Sequence, residues 1–463
     1  MAIVSINPFT EQEIERFETT SDSELEKILA ASQSAFSDWR RRPLSHRAQV
    51  LTALAAGFTR DRDPLARSAT LEMGKPLQEA LAEVDKCART CLWLADNAEA
   101  LLRDEPHPAN GAQSYVAFEP LGCVLAVMPW NFPYWQALRA LAPALLAGNV
   151  MVLKHASNVS RCSLQIARLV LEAGAPTGVF ASVLLPPAAV ENLIADRRIV
   201  AATLTGSEGA GAAVAKASGA ALKKTVLELG GSDPFIVLAD ADVAQAAKVA
   251  VKARFQNNGQ SCIAAKRFIV VRENVAAFSE AFAVQAAKLR MGDPLLAETT
   301  IGPVAKRELA DKLRRQEMES VAQGARARAF GAIPERGFFY PPTMLTEVTE
   351  TMAAFREETF GPLAAIVSAT DEAHAIALAN RSSFGLGSAL WTRDLARAKT
   401  LARDIEAGSV FVNGMVASDA RLPFGGIKKS GYGRELSIFG IREFVNAKTV
   451  WVGPDAEEHR SAE

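Results

Sequence analysis

Short apolar runs alternate with stretches of helical periodicity from about residue 120 onward. The runs are rich in β-branched and aliphatic residues, as in GCVLAVM at 122–128 and RFIVV at 267–271. Between them, segments such as 160–172 and 242–254 carry apolar residues at the spacing of a helix. This alternation predicts an α/β fold in which helices cover parallel sheets.

The first 105 residues follow a different pattern. Apolar positions recur at helical spacing between polar and charged ones, both in ELEKILAASQSAF at 24–36 and across 76–102. We therefore expect this part to be mostly helical and to form a packed layer. In the rest of the chain, two glycines at 230–231 mark a break between two α/β blocks.

Length and charge limit the class of protein. The chain has 463 residues, of which 49% are hydrophobic and 22% charged, which is enough for two or three domains with buried cores. With 51 basic and 52 acidic residues, its formal charge is −1. No global field would attract nucleic acid or an anionic membrane, so we expect neither as a partner. A small polar or anionic substrate is compatible with this balance.

Three further features favour a cytoplasmic protein. The uncharged segment 120–138 approaches the length of a membrane span, but its prolines and Asn131 favour a buried strand followed by a loop. The first residues, MAIVSINPFT, lack a basic leader and a long apolar region. The five cysteines are scattered and odd in number, which is typical of reduced thiols. None of them has the neighbours of a metal site, so we expect no metal.

One cysteine stands in a distinctive context, FQNNGQSC at 255–262. A thiol reacts as the thiolate, so a catalytic Cys262 needs partial access and surroundings that lower its pKa. Taken alone, the segment is weak evidence, because an isolated cysteine after a turn that contains glycine is more often structural than reactive.

Two segments add candidate chemistry. In PWNFP at 129–133, two prolines pin a loop around Asn131, whose carboxamide could stabilise an oxyanion or simply cap a turn. In LELGG at 227–231, Glu228 ends an apolar strand. Unpaired burial would raise its pKa and make it a general base, whereas a partner would make it half of a core salt bridge.

Two more segments, EETFGP at 357–362 and PFGGIKKSGYGRE at 423–435, place glycine, proline and aromatic residues beside charges, as ligand-shaping loops or ordinary turns do. In their order and spacing, PWNFP, LELGG, GQSC, EETFGP and PFGG resemble the aldehyde dehydrogenase superfamily. Segments such as AAKRF at 264–268 resemble its bacterial succinate-semialdehyde dehydrogenase branch, in a short form. The resemblance covers almost the whole chain.

The resemblance implies an architecture of two parallel-sheet α/β domains and a small β bridging or oligomerisation element. A cofactor-binding domain would comprise 1–102 and 121–229, and a catalytic domain 230–430. The oligomerisation element would comprise 103–120 and 441–455. As in that family, we expect a homodimer or homotetramer, because a strand such as TVWV at 449–452 would leave an open edge in one subunit.

The resemblance also implies a catalytic cycle. Cys262 attacks the aldehyde carbonyl while Asn131 and the Cys262 backbone N–H hold the oxyanion. Hydride passes from the thiohemiacetal to a nicotinamide, and Glu228 activates water to release the acid from the thioester.

The same resemblance assigns residues to the cofactor. TGSEGAG at 205–211 follows a strand and opens a helix that can receive a pyrophosphate, although it lacks the usual G-x-G-x-x-G pattern. The implied cofactor residues are Trp130, Lys154, Ser157, Gly206, Ser207, Glu358 and Phe360. Many relatives that use NAD carry a glutamate at position 157, which would repel a 2′-phosphate. Ser157 therefore predicts a preference for NADP, with NAD possible.

Substrate recognition is implied by three residues. Arg139 matches the arginine that holds the distal carboxylate in semialdehyde-oxidising relatives, although it could be a solvated helix charge. Ser418 matches a second carboxylate contact. Relatives often have another arginine where this chain has Gln256, so one positive charge is missing.

The predicted activity is therefore the oxidation of succinate semialdehyde, or a similar short ω-carboxy aldehyde, to the acid. Two enzymatic alternatives stay open: a broad aliphatic aldehyde dehydrogenase, and a relative that resolves the thioester with coenzyme A. A non-catalytic protein that retains the fold is the alternative of another class. Product analysis and an assay of nicotinamide reduction would distinguish them.

Overall fold

A computed structural model describes residues 2–453. Its helices are α1 (Asp22–Trp39), α2 (Leu44–Arg60), α3 (Arg62–Met73), α4 (Leu77–Asp96), α5 (Ala98–Leu102), α6 (Pro133–Leu146), α7 (Ser160–Glu172), α8 (Ala189–Ala195), α9 (Glu208–Ala220), α10 (Val243–Phe255), α11 (Val275–Ala286), α12 (Arg307–Ala322), α13 (Ala353–Arg356), α14 (Glu372–Asn380), α15 (Leu395–Leu401) and α16 (Ser437–Ile441).

Strands occur along the whole chain. They are β1 (Ala2–Ile6), β2 (Glu13–Glu18), β3 (Glu105–Pro106), β4 (Gln113–Pro120), β5 (Cys123–Met128), β6 (Val150–His155), β7 (Phe180–Val183), β8 (Ile199–Thr205), β9 (Lys224–Glu228), β10 (Asp233–Val237), β11 (Ala265–Val271), β12 (Arg326–Ala329), β13 (Thr343–Thr346), β14 (Leu363–Ala369), β15 (Phe384–Gly385), β16 (Gly387–Trp391), β17 (Ser409–Val412), β18 (Ile427–Lys428), β19 (Gly431–Tyr432) and β20 (Val445–Val452).

Two large sheets organise the molecule, and both are largely parallel. The first has the order β19-β9-β8-β5-β6-β7, with only β19 antiparallel to its neighbour. The second has the order β12-β13-β14-β11-β10-β16-β17, with only β12 antiparallel. Strands between helices on both faces are buried throughout, as β6 and β11 are, which explains their continuous apolar runs. The predicted α/β class is confirmed.

The sequence pattern located most of these elements. The helical periodicity at 160–172 matches α7, and that at 242–254 matches α10 to within one residue. The first 105 residues are mostly helical, with one exception, because β1 and β2 form an antiparallel hairpin. Four of the six residues of β2 are charged, and Ser5 and Phe17 are the only buried residues of the two strands, so the hairpin lacks the long buried apolar run of the sheet strands.

The uncharged segment 120–138 folds as the prolines predict. It forms β5, an irregular loop at 129–132 and the start of α6, where Pro133 occupies the first helical position. Every residue of α6 is buried, which accounts for its lack of charge apart from Arg139. No helix among the described residues is long and apolar enough to cross a membrane.

A third sheet contains the segments of the predicted oligomerisation element. It is antiparallel, with the order β20-β4-β3, so β20 lies at an edge and exposes about half of the Trp451 side chain. Residues 454 and 455 of that element lie outside the described part. The domain boundaries and the assembly remain predictions.

Candidate active site

The carboxyl ends of four neighbouring strands meet at one edge of the first sheet. In the order β9, β8, β5 and β6, these ends lead to Glu228, to Gly206 and Ser207, to Asn131, and to Ser157. Open α/β sheets bind ligands at this edge. The sheet therefore collects residues that are distant in sequence but were assigned to one reaction.

A cavity of about 730 Å³ contains the candidate nucleophile. Its wall is mostly apolar and comes from α4, α6, α10 and the loop after β17. The lining residues used below are Cys262, Lys86, Trp135, Arg139, Gln256 and Ser418. A concave apolar wall with a few polar groups is typical of a small-molecule site.

The loop that carries Cys262 is held by amide side chains. Asn257 and Asn258 have left-handed backbone conformations with φ of 56°, which asparagine tolerates better than most residues. The Asn257 amide donates to Asn131 O at 2.9 Å, and the Asn258 amide donates to Gly74 O and Pro303 O at 2.9 Å each. These contacts fix the Cys262 loop against the loop of Asn131.

Two fully buried cations also hold the loop that carries Cys262, by donating hydrogen bonds to its backbone carbonyl oxygens. Arg254 donates to Gly259 O at 2.7 Å and to Thr359 O at 3.2 Å. Lys266 donates to Ser261 O at 2.9 Å and to Cys262 O at 2.6 Å. Sequence reasoning assigned no role to either residue.

Gly231, the second glycine of the LELGG motif, lies in close contact with the backbone of Cys262. A Cβ atom at this position would lie 2.6 Å from Cys262 O, so only glycine permits the close approach of the two chains. The N–H of Gly231 donates to the Glu358 carboxylate at 3.0 Å. The glycine thus links Cys262 to Glu358, the predicted ligand of the nicotinamide ribose.

The Cys262 side chain is half-buried, and the expected lowering of its pKa is wrong for this state of the protein. Burial raises the pKa of the thiol to about 12, because the charges of Arg139 and Lys266 offset only part of the cost of desolvating a thiolate. The thiol is therefore protonated at neutral pH, and its proton must leave during attack.

Asn131 is held against the loop that carries Cys262 by hydrogen bonds to Asn257 and Gln260. The side chain is buried, and one amide N–H donates to Gln260 O at 3.1 Å. An amide nitrogen carries two hydrogens, so the second remains for a ligand. Within residues 2–453 the backbone N–H of Cys262 has no acceptor. These are the two donors that the resemblance implies, and their role stays a prediction.

Glu228 is buried behind the cavity wall and is not one of the lining residues. Neither carboxylate oxygen has a hydrogen-bond partner among the described residues, so the alternative of a core salt bridge is wrong. Burial raises its pKa well above the usual value, and the nearby Glu435 raises it further, whereas Arg139 opposes this. To act as a base, this carboxylate has to turn into the cavity.

Arg139 is buried and not a solvated helix charge. It forms an ion pair with Glu435, and its guanidinium lies over the Phe424 ring at 4.5 Å. A second contact, to Thr205 Oγ1, is 3.4 Å long. Arg139 still lines the cavity, but most of its charge is balanced by Glu435. Sequence reasoning did not identify Glu435, although it lies inside the PFGGIKKSGYGRE segment.

The predicted cofactor residues border an open part of the sheet edge. Ser207 caps the N-terminus of α9. A Cβ atom at Gly209, in the first turn of α9, would meet no other atom within 4 Å. Lys154 is buried and forms no ion pair among the described residues, while Ser157 is exposed at the start of the turn that follows β6. The Trp130 and Phe360 rings make an edge-to-face contact at 5.7 Å.

Within the described residues, no group of three or more histidine, cysteine or acidic side chains is arranged to hold a metal ion. All five cysteines are free, and four of them are buried.

The fold and the cavity define the class: an α/β protein with two largely parallel sheets and a half-buried cysteine in a mostly apolar cavity. A model described as the aldehyde dehydrogenase family matches residues 1–450. The chain belongs to this family.

Individual proteins that are similar to this chain have names that agree with this family. The chain is 50% identical over 453 residues to a probable succinate-semialdehyde dehydrogenase (NADP(+)) of Synechocystis sp., covering 98% of this chain and 100% of that protein. It is 49% identical to a succinate-semialdehyde dehydrogenase (NADP(+)) of Mycolicibacterium paratuberculosis, with 98% and 97% covered. Among solved structures, it is similar to succinic semialdehyde dehydrogenase from Streptococcus pyogenes in complex with NADP+, at a TM-score of 0.95, 38% identity, and 97% and 100% coverage.

The unpaired burial of Glu228 predicts a pH-dependent effect on stability. A carboxyl group whose pKa is raised by folding stabilises the protein fully at pH values where the unfolded group is still protonated. That stability is lost as the pH rises toward the raised pKa. Glu228→Gln should therefore unfold at a higher temperature than the wild type at pH 8. The difference should grow with pH by up to about 1.4 kcal/mol per unit and vanish near pH 4.

Thermal unfolding between pH 4 and pH 9 measures this difference. Glu335→Gln is the control, because Glu335 is exposed and the same change there should give a pH-independent shift. A Glu228→Gln variant that is equally destabilised at all pH values would contradict the raised pKa.

Proposed function

We propose that this protein oxidises succinate semialdehyde, or a similar short ω-carboxy aldehyde, to the carboxylic acid with NADP as the preferred cofactor. The observation that carries the proposal is the position of Cys262, half-buried in a cavity that also contains the buried cation Arg139, with its own backbone N–H free of any acceptor among the described residues. The names of the relatives from Synechocystis sp. and Mycolicibacterium paratuberculosis support the substrate and the cofactor.

The proposed chemistry begins with attack by Cys262 Sγ on the aldehyde carbon. A carbon–sulfur bond forms, the thiol proton passes to solvent water, and the carbonyl π electrons move onto oxygen to give an oxyanion. The second amide N–H of Asn131 and the backbone N–H of Cys262 stabilise that oxyanion. Their fixed positions matter because donors that are already oriented do not have to reorganise as charge develops.

The second half of the reaction releases the acid. After loss of a hydride, the substrate is a thioester on Cys262. Glu228 removes a proton from water, the resulting hydroxide attacks the acyl carbon, and the thiolate leaves. The raised pKa of Glu228 suits this role, since a carboxylate with an ordinary pKa is a weak base at neutral pH.

The residues at the sheet edge fit a dinucleotide. The unobstructed first turn of α9, with Gly206 and Ser207, offers backbone N–H groups to a pyrophosphate. Lys154 is a buried cation without an ion-pair partner among the described residues, which favours an anionic ligand. When bound, NADP supplies the acceptor for the hydride, and Trp130, Glu358 and Phe360 would orient its nicotinamide end.

The preference for NADP rests on charge. A 2′-phosphate is doubly negative or nearly so, and the nearest assigned side chains are the Lys154 cation and the neutral Ser157 hydroxyl. No carboxylate occupies position 157, so no like charge opposes the phosphate.

For the substrate, we propose that Arg139, Gln256 and Ser418 surround the distal carboxylate. All three line the cavity with Cys262. We also propose a homodimer or homotetramer, which the open edge at β20 supports, and a cytoplasmic location, which the free thiols support.

The proposed substrate predicts a preference for a terminal carboxylate. With the wild-type protein, kcat/KM for succinate semialdehyde should exceed that for butanal by roughly 10- to 100-fold, the worth of one or two charge-assisted hydrogen bonds. Steady-state assays of NADPH formation measure the ratio, with Cys262→Ala as the control for background reduction. Equal efficiency for the two aldehydes would point to a broad aliphatic aldehyde dehydrogenase instead.

The proposed cofactor preference predicts the effect of one substitution. Ser157→Glu should lower kcat/KM for NADP by roughly 10- to 100-fold, because a carboxylate repels the 2′-phosphate, and should change the value for NAD much less. Ser157→Gln has a similar size without charge and should keep the preference for NADP. If the Gln variant loses NADP as strongly as the Glu variant, size and not charge determines the preference.

A further inference from the structure

One cation in the cavity has no role in the proposed chemistry. Lys86 lies on α4, and its ammonium group is 4.2 Å from the centre of the Trp135 ring. It donates to Ser418 Oγ at 2.5 Å, across 332 positions of the chain. Lys86, Trp135 and Ser418 all line the cavity that contains Cys262.

The charge of Lys86 is not balanced by a neighbour. It forms no ion pair among the described residues. The carboxylate of Glu83 is occupied by Lys75 at 2.5 Å, and that of Asp419 by Arg421 at 2.7 Å. Burial, together with the charge of Arg139, lowers the pKa of Lys86 to about 8, and the charges of Asp419 and Glu83 oppose this only in part. Because burying the Lys86 ammonium without an ion-pair partner costs free energy, Lys86 favours an anionic ligand in the cavity.

The other charged residues in and near the cavity do not offer a partly buried cation without an ion-pair partner. Arg139 forms an ion pair with Glu435, and Glu228 is buried and does not line the cavity. Three more lysines, Lys248, Lys252 and Lys288, line the cavity, but all are exposed and therefore screened by water. Lys86 is the uncompensated positive charge on the partly desolvated wall.

We propose that Lys86, together with Ser418, binds the terminal carboxylate of the substrate and supplies the positive charge that Gln256 lacks. This inference rests on the proposed function, since it requires a carboxylate-bearing aldehyde. The Lys86 ammonium already contacts Ser418 Oγ, so its remaining N–H groups and the serine O–H lie close enough together to donate to one carboxylate. The Trp135 ring, 4.2 Å from the ammonium nitrogen, restricts where the ammonium can lie.

The test compares three variants on two substrates. Lys86→Met removes the charge and keeps an unbranched side chain, Lys86→Arg restores a charge, and Lys288→Met removes an exposed charge at the same cavity. For each, KM and kcat are measured with succinate semialdehyde and with butanal, which has the same number of carbons but no carboxylate.

We expect the loss of the Lys86 charge to raise KM and to leave kcat largely unchanged. Lys86→Met should raise KM for succinate semialdehyde by roughly 10- to 100-fold and so reduce the preference over butanal by the same factor. Lys86→Arg should recover most of the preference, and Lys288→Met should retain it within about threefold, because surface charges contribute little.

Other outcomes would overturn the inference. If wild-type protein does not prefer succinate semialdehyde, the proposed substrate itself is wrong. If the wild type shows the preference and Lys86→Met keeps it, the substrate stands but Lys86 does not bind it. An equal loss on both aldehydes, without recovery in Lys86→Arg, would assign Lys86 a purely structural role and also contradict the inference.

Discussion

The fixed backbone around Cys262 is the constraint on which the site depends. Arg254 and Lys266 are fully buried, and they direct their hydrogens at carbonyl oxygens of the loop from Gly259 to Cys262. Lys266 holds the carbonyl oxygens of Ser261 and Cys262, whereas the backbone N–H of Cys262 has no acceptor in the described structure. Burying a cation is costly, and here carbonyl dipoles compensate, together with the Glu358 carboxylate, which lies 3.6 Å from the Lys266 ammonium.

Desolvation sets the chemistry of the resting site. It raises the pKa of the Cys262 thiol to about 12 and that of the Glu228 carboxyl well above its usual value, so each group holds its proton more tightly than it would in water. The nearby Glu435 raises the pKa of Glu228 further, whereas the Arg139 guanidinium, which pairs with Glu435, opposes this.

Sequence reasoning identified the groups that lie in local motifs. Apolar runs and helical periodicity indicated the two parallel sheets, and Cys262, Asn131 and Glu228 stood out beside prolines or glycines. It could not identify Arg254, Lys266 or Lys86. Each is a charged residue in an ordinary helix or strand, and its role depends on which distant carbonyl, hydroxyl or ring it meets in the folded chain. The pKa of Cys262 was misjudged for the same reason, because burial is a property of the fold.

The central claim is that Cys262 carries the oxidised substrate as a thioester that Glu228 hydrolyses. The most direct measurement is peptide mass spectrometry of Glu228→Gln protein quenched after mixing with succinate semialdehyde and NADP. The account predicts that the peptide containing Cys262 gains the mass of a succinyl group, with about one NADPH formed per subunit before turnover stalls. An unmodified Cys262 during NADPH formation, or undiminished turnover by a Cys262→Ala variant, would contradict it.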